Sequence, residues 1–145
     1  MPSRYSGGSP AALSFALALL FALASGAEAQ TNRWVEFGAT TFHPQATSEA
    51  FDMRTIQVEG SVVEVWTRRL YGEPQRFDDG AQYDEVLLKE RFDCDRRTNT
   101  VLRAIARLGG DVVHSEDRPM PENEPIPGSV AEGKWMHFCE EAPEE

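Results

Sequence analysis

Residues 83–108 read YDEVLLKERFDCDRRTNTVLRAIARL and carry the strongest structural signal in the chain. Two runs rich in branched apolar residues, 83–94 and 100–108, flank the polar segment 95–99. This pattern predicts a hairpin of two antiparallel strands joined by a short loop. The second run also contains good helix formers. Nine residues would make only a short helix, however, and the preceding run favours a strand, so we predict a strand.

A register with Cys94 opposite Thr100 places mainly apolar side chains on one face of this hairpin, as a half-buried sheet requires. The same register places Arg91 opposite Arg103 on the other face. Opposed like charges destabilise a sheet, so we expect compensation, either from carboxylates at the surface or from an anionic ligand. The carboxylates on adjoining segments are Glu64, Asp84 and Glu85. The candidate anion-binding or partner-binding stripe consists of Lys89, Arg91, Arg103 and Arg107.

The rest of the sheet is predicted from shorter segments that are rich in aromatic and β-branched residues. These segments are 33–38, the weaker 51–56, 61–71 and 111–115. The stretch 72–80 contains Pro74 and an Asp-Asp-Gly sequence, so we predict a turn or loop there. Sequential strands joined by short loops favour antiparallel neighbours. The predicted class is α+β, with one antiparallel sheet of about five or six strands.

The C-terminal part predicts a helix behind a stiff connection. Residues 119–127 contain four prolines, whose missing amide hydrogens exclude a helix or a central strand, so this segment is a connecting arm. Ser129 fits the N-cap of a helix over about 130–140, with Glu132 reaching back to the Ser129 backbone N–H. One stripe of this helix has the spacing of a buried face. Its members are Ala131, Trp135, Phe138 and Cys139.

The first 29 residues are typical of a secretory signal peptide. Arg4 precedes an apolar run over 11–24, and Ala27-Glu28-Ala29 gives an A-x-A exit. A run of 14 residues is shorter than the roughly 20 that a membrane-spanning helix needs. We predict cleavage near Ala29 and a mature domain of residues 30–145 in the periplasm or outside the cell. No cysteine follows the run, so lipid attachment is not predicted.

Export also determines how the two cysteines are interpreted. Cys94 and Cys139 both remain in the mature chain, and an even pair in an oxidising compartment favours one disulfide. The alternative is a pair of buried free thiols. The bridge would fasten the C-terminal helix to one face of the sheet. It would close a loop of about 46 residues, for which chain entropy gives about 4 kcal/mol.

Composition and motifs argue against several classes of function. The chain has 14 Lys+Arg against 24 Asp+Glu, a net charge of −10, which disfavours a general nucleic-acid binder. Its three histidines, His43, His114 and His137, show no metal-ligand spacing, and we expect His137 to face solvent. No nucleophile motif is present, so neither an enzyme nor a cofactor is predicted. A hydrolase would need a pocket that holds His114 beside a carboxylate.

The chain resembles the bacterial surface-adhesin protein E family from about residue 33 to residue 139. The resemblance rests on the export signal, Trp34-Val35, Val63–Trp66, Phe92-Asp93-Cys94, and Pro127-Gly128-Ser129-Val130 leading to Cys139. It implies an antiparallel sheet with a disulfide-tethered helix and a role in adhesion to host matrix or serum proteins. Only the two cysteines are carried over from the family, and their role is structural.

Two functions remain open at this stage. The first is an exported, non-enzymatic module that binds a protein through the sheet face or edge. The second is a soluble periplasmic accessory or stress protein that binds an envelope component. Exposed strand edges pair readily, so a homodimer is a further prediction.

Overall fold

Seven antiparallel strands and one C-terminal helix form the part of the chain that the structure, a computed structural model, describes: residues 33–37 and 45–140. The elements are β1 (Trp34–Glu36), β2 (Ala46–Asp52), β3 (Gln57–Glu59), β4 (Val62–Arg76), β5 (Gln82–Asp93), β6 (Thr98–Leu108), β7 (Asp111–Glu116) and α1 (Val130–Cys139). The predicted class is confirmed, with one strand more than the upper estimate. The predicted signal peptide lies outside the described residues.

The long strand β4 organises the sheet. The strands lie in the order β1-β2-β4-β5-β6-β7, and β3 also pairs with β4. One side of β4 pairs with β5, while β2 and β3 pair with successive sections of β4. A single 3₁₀ turn, Met53–Thr55, separates β2 from β3, and the Asp52 side chain caps this turn by accepting from the Arg54 N–H at 3.1 Å.

Two predicted boundaries next to β4 are wrong. Residues 72–76, expected in a loop, continue β4, and Gln75 pairs with Tyr83. The β4–β5 ladder is interrupted between Leu70 and Gln75, and Pro74, which lacks an amide hydrogen, falls in that interruption. The strand expected over 51–56 instead ends at Asp52, and β3 was not predicted at all.

The predicted strands of the central hairpin are confirmed, but their register is wrong. Arg91 lies opposite Thr100, and Lys89 lies opposite Arg103. Two effects cause the difference. The turn is shorter than predicted, because Arg97 takes the left-handed conformation, φ 56°, and β6 begins at Thr98 rather than at Thr100. An irregularity after Lys89 then shifts the pairing again.

Helix α1 covers one face of the sheet and closes the core. Trp135 and Phe138 pack on buried side chains of β2, β4 and β5. The Phe138 ring centroid lies 5.1 Å from that of Phe92 and 5.2 Å from that of Phe51. The predicted disulfide is present: Cys94 and Cys139 are bonded, their Cα atoms are 5.4 Å apart, and both pack against this core.

The predicted arm and helix cap are present with one difference. The arm hydrogen-bonds to β6, with the Met120 N–H donating to the Val101 carbonyl at 2.8 Å, and it then leads the chain to α1. Ser129 is the N-cap, and its hydroxyl accepts from the Glu132 N–H at 3.1 Å. The Glu132 carboxylate, however, accepts from the N–H of Gly128 at 2.6 Å rather than from that of Ser129.

The histidine environments differ from expectation in one case. His137, expected to face solvent, also contacts the aromatic core. Its ring centroid lies 5.0 Å from that of Phe51 and 5.3 Å from that of Phe37. His137 is therefore part of the aromatic cluster around Phe138, whose ring centroid lies 5.1 Å from that of His137. His114 is exposed, as expected for an outward position on β7. His43 lies outside the described residues.

Candidate functional site

The sheet has one covered face and one open face, because side chains alternate along each strand. On β4, Val63, Val65 and Thr67 are buried on the side of α1. The intervening residues Glu64 and Trp66 point to the opposite side. We call that opposite side the open face. A surface that α1 leaves uncovered and that carries large side chains is the natural place for a binding function in this fold.

All four residues of the predicted stripe lie on the open face. Lys89 and Arg91 alternate with Glu90 and Phe92, which are buried on the side of α1, and directly paired residues share a face. Arg103 lies opposite Lys89, and Arg107 lies opposite Glu85, so both belong to the same side. The face assignment therefore survives the incorrect register.

Carboxylates compensate the stripe. Glu64 lies 2.7 Å from Arg91 and 3.1 Å from Lys89. Glu85 lies 3.5 Å from Arg107. Two of the three expected carboxylates thus take the expected role. The third, Asp84, instead accepts a hydrogen bond from the Gly109 N–H at 3.1 Å.

Arg103 finds a partner that the sequence did not suggest. Its Nε lies 2.5 Å from the Asp117 carboxylate, just beyond β7. The two side chains are 46% and 70% exposed, so this pair contributes little to stability. The binding role of the stripe stays a prediction.

Glu64 pairs with both Lys89 and Arg91 and is therefore the main counter-charge of these two stripe residues. Burial acts to raise the pKa of its carboxyl, but hydrogen bonds and charge from Arg91 and Lys89 outweigh that effect and leave the pKa below its usual range. The carboxylate thus stays ionised at neutral pH and offsets two cations. It removes the repulsion that two neighbouring basic side chains would otherwise create.

A groove of about 420 Å³ lies at the other end of the open face. We call it the tryptophan–arginine groove. It is lined by two tryptophans, Trp34 and Trp66, by Arg68 and Arg107, and by the apolar side chains of Leu87 and Ile105, among others. The guanidinium carbon of Arg68 lies 4.5 Å from the centre of the Trp34 ring, a cation–π distance that holds the two side chains together.

The polar atoms of this groove are incompletely paired. The Nε atoms of Arg68 and Arg107 are buried, and neither has a hydrogen-bond acceptor among the described residues. By contrast, Arg33 at the rim binds Asp52 through both Nε, at 2.8 Å, and a second guanidinium nitrogen. Asp52 is fully buried, and its hydrogen bonds and charge raise the pKa of Arg33.

A second polar cluster lies on the covered face, between the sheet and α1. Lys134 is buried, and its Nζ lies 2.8 Å from a Glu90 oxygen and 3.3 Å from the Thr67 hydroxyl. Thr67 in turn donates to Glu90 at 2.5 Å. Nearby, Arg69 Nε lies 2.5 Å from Glu49.

This helix–sheet ion cluster consists of Glu49, Thr67, Arg69, Glu90 and Lys134. Its two carboxylates and two cations balance in charge. Burial acts to lower the pKa of Arg69, but Glu49 and Tyr71 outweigh it, so the pKa is raised and the cation is retained. A charge-balanced cluster under a helix fixes the position of that helix on the sheet.

The sequence contains a signal for this cluster that the predicted helix stripe did not include. Ala131, Lys134, Trp135 and Phe138 have the i, i+3, i+4, i+7 spacing of one helix face, so Lys134 occupies a core position. A lysine at such a position requires a buried carboxylate. Glu90, on the apolar side of its strand, was the matching residue.

The remaining chemistry-bearing residues form no catalytic arrangement in the described ranges. His114 borders an open depression of about 310 Å³ together with Asp78 and Asp79, but no hydrogen bond joins it to a carboxylate in the part of the chain that the structure covers. Within residues 33–37 and 45–140, no group of three or more His, Cys, Asp and Glu side chains is placed to hold a metal. No helix of the described part has the length and apolar character needed to cross a membrane.

Comparison with known families identifies a match over most of the described chain. The sequence model of the family described as surface-adhesin protein E matches residues 34–140, which include every strand and the helix described above. No curated protein matches the chain significantly.

Proposed function

Since the chain belongs to the surface-adhesin protein E family, we propose that it is an exported, non-enzymatic module that binds a protein partner on the open face of its sheet. Family membership supports an adhesin-like binding role. The main observation in favour of this face is its composition. Tryptophan and arginine side chains lie together there, while α1 covers the other side of the sheet. These two residue types dominate the energetics of protein interfaces.

The open face is suited to a partner of mixed character. Its basic stripe is held in place by Glu64 and Glu85, and such fixed pairs confer specificity and orientation more than affinity. The tryptophan–arginine groove supplies apolar area next to these charges. A partner surface with acidic and apolar side chains side by side would fit both parts.

The test is a binding measurement with the full chain exported and oxidised. The chain is immobilised and exposed to host matrix proteins and to envelope proteins, for wild type and for an Arg91→Glu/Arg103→Glu variant. We expect wild type to bind at least one of these proteins and the variant to lose at least about tenfold in affinity. Arg76→Glu is the matched control, because Arg76 is exposed at the far end of β4.

Two results would overturn this proposal. One is the absence of binding by folded wild-type protein. The other is binding by the double variant that equals that of the Arg76→Glu control.

The location of the protein is tested separately. Surface labelling of intact cells would support display as an adhesin. Release by osmotic shock without surface labelling would support the periplasmic accessory function instead. Retention of residues 1–29 in the exported protein would contradict the predicted signal peptide.

A further inference from the structure

We propose that the tryptophan–arginine groove binds a carboxylate side chain of the partner protein together with the apolar side chain beside it. This inference rests on the proposed binding function and specifies the chemistry that the open face recognises.

The groove carries an excess positive charge in an acidic protein. Three arginines line it against two carboxylates, Asp52 and Glu85. Asp52 is bound by Arg33, and Glu85 lies 3.5 Å from Arg107. Arg68 has no carboxylate within 4.0 Å among the described residues. In a chain of net charge −10, this local excess favours an anion from outside.

Arg68 is also held ready for an anion. Its Nε is buried without an acceptor in the described part of the chain, so this donor has lost water and gained no protein partner. The Trp34 ring, 4.5 Å from the guanidinium carbon, restricts the side chain. Arg68 is only half-buried overall and lines the groove, so part of the side chain remains open to a ligand.

The walls of the groove indicate a carboxylate attached to an apolar segment. The guanidinium fork matches the planar geometry of a carboxylate. Leu87 and Ile105 lie side by side on paired strands, and Trp66 borders them, so the floor of the groove is apolar. A Glu or Asp side chain with a neighbouring Leu or Val would bury apolar area and reach Arg68 at the same time.

A larger groove on this face does not share these features. It measures about 700 Å³ and is lined by Arg91 and Arg96. Arg91 lies 2.7 Å from Glu64, and Arg96 lies 2.7 Å from Glu122. Both cations are thus already neutralised by the protein itself. Charge complementarity therefore selects the tryptophan–arginine groove.

The experiment uses two blocked pentapeptides, acetyl-Gly-Leu-Glu-Leu-Gly-amide and its Gln counterpart, with sodium acetate as an ionic control. Binding is followed by the ¹H–¹⁵N resonances of the three tryptophan indoles in the full oxidised chain. We expect the Glu peptide to shift the signals of Trp34 and Trp66. Trp135, which α1 buries against the sheet, is the internal control and should not move. Equal responses to the Gln peptide or to acetate, or no response at millimolar peptide, would overturn the proposal.

The same inference is tested on the protein side with Arg68→Met, which removes the cation and keeps much of the side-chain length. We expect at least about tenfold weaker binding of the Glu peptide. Arg76→Met is the control on the same strand and should bind as wild type does. The Gln peptide keeps the test valid even if Arg68→Met unfolds, because it leaves the protein unchanged.

The outcomes separate this inference from the proposed function. If wild type binds a protein partner and Arg68→Met binds it equally well, the groove is not the recognition site and the binding function stands. If the Glu peptide binds as expected but no protein partner is found, the groove chemistry stands and the broader proposal fails.

Discussion

Replacing Lys134 by methionine tests whether the helix–sheet ion cluster holds α1 on the sheet. The side chains of Lys134 and Glu90 are 5% and 4% exposed, so the substitution leaves a buried carboxylate without its main cation. Removing one partner of a buried ion pair costs about 3–5 kcal/mol. A small domain has a total unfolding free energy of about 5–15 kcal/mol. Lys134→Met should therefore remove a large part of the stability.

The assay is urea unfolding of the oxidised chain, followed by far-ultraviolet circular dichroism and by tryptophan fluorescence. The only other lysine, Lys89, provides a matched control. Its side chain is 35% exposed and pairs with Glu64, so Lys89→Met should cost less than about 1 kcal/mol. A difference of several kcal/mol between two identical chemical changes would isolate the effect of burial.

A compensating variant completes the test. The triple change Lys134→Met, Glu90→Met and Thr67→Val removes both charges and the hydroxyl between them. Apolar replacement of a whole buried ion pair is commonly neutral or stabilising, so most of the lost stability should return. The reasoning is refuted if Lys134→Met loses less than about 1 kcal/mol, or if the triple variant is no more stable than the single one.

Three further perturbations address the rest of the fold. The Cys94→Ala/Cys139→Ala variant should lose about 4 kcal/mol in urea unfolding, because the cysteines are 45 residues apart in sequence and the bridge restricts that loop in the unfolded chain; a loss below about 1 kcal/mol would contradict this. Glu64→Gln should lower stability at pH 7. Because the folded-state pKa of Glu64 lies below its ordinary 4.5, that difference should shrink as the pH falls through the folded-state value, and a constant difference would exclude the ion pairs as its cause. Phe138→Ala should cost about 3–5 kcal/mol by the same unfolding assay, whereas Met136→Ala, at a residue 42% exposed, should cost much less; equal losses would argue against the aromatic core.

The elements with strong local patterns could be predicted from the sequence. The runs that became β5 and β6 are rich in branched apolar residues, and α1 has both a capping serine and an apolar stripe. The cysteine pairing followed from the predicted export signal and from an even cysteine count. In each case a local signal and a global requirement agreed, which is when such predictions succeed.

The register and the strand ends could not be predicted, because they depend on pairing partners. The irregularity after Lys89 and the left-handed Arg97 are each single-residue features, yet together they change which side chains face one another. Past Gly72, β4 continues because it pairs with β5, where Gln75 lies opposite Tyr83. The residues of this extension do not themselves indicate a strand. The four stripe residues were still assigned to the correct face. Thr100, expected on the apolar face with Cys94, lies opposite Arg91 and therefore on the open face, because the irregularity after Lys89 reverses the alternation.

The candidate site was predictable only in part. The stripe residues were identified by their charge and alternation. The tryptophan–arginine groove, in contrast, brings together Trp34 from β1, Arg68 from β4 and Arg107 from β6. These residues are far apart in sequence, and no spacing rule connects them. Only the strand order places them on one surface.

The stepped outline of the sheet limits how copies of this protein can join by backbone pairing. On one flank, the outermost strands β1 and β3 are three residues each, too short to template a neighbour. On the opposite flank, the six-residue β7 exposes Val112 and Val113 and leaves one outer row of amides and carbonyls. Among the described strands, this is the single flank long enough to accept another chain. When two molecules pair through β7, the free β7 edge of each molecule is occupied. Assembly therefore ends at a dimer and does not propagate into a fibre.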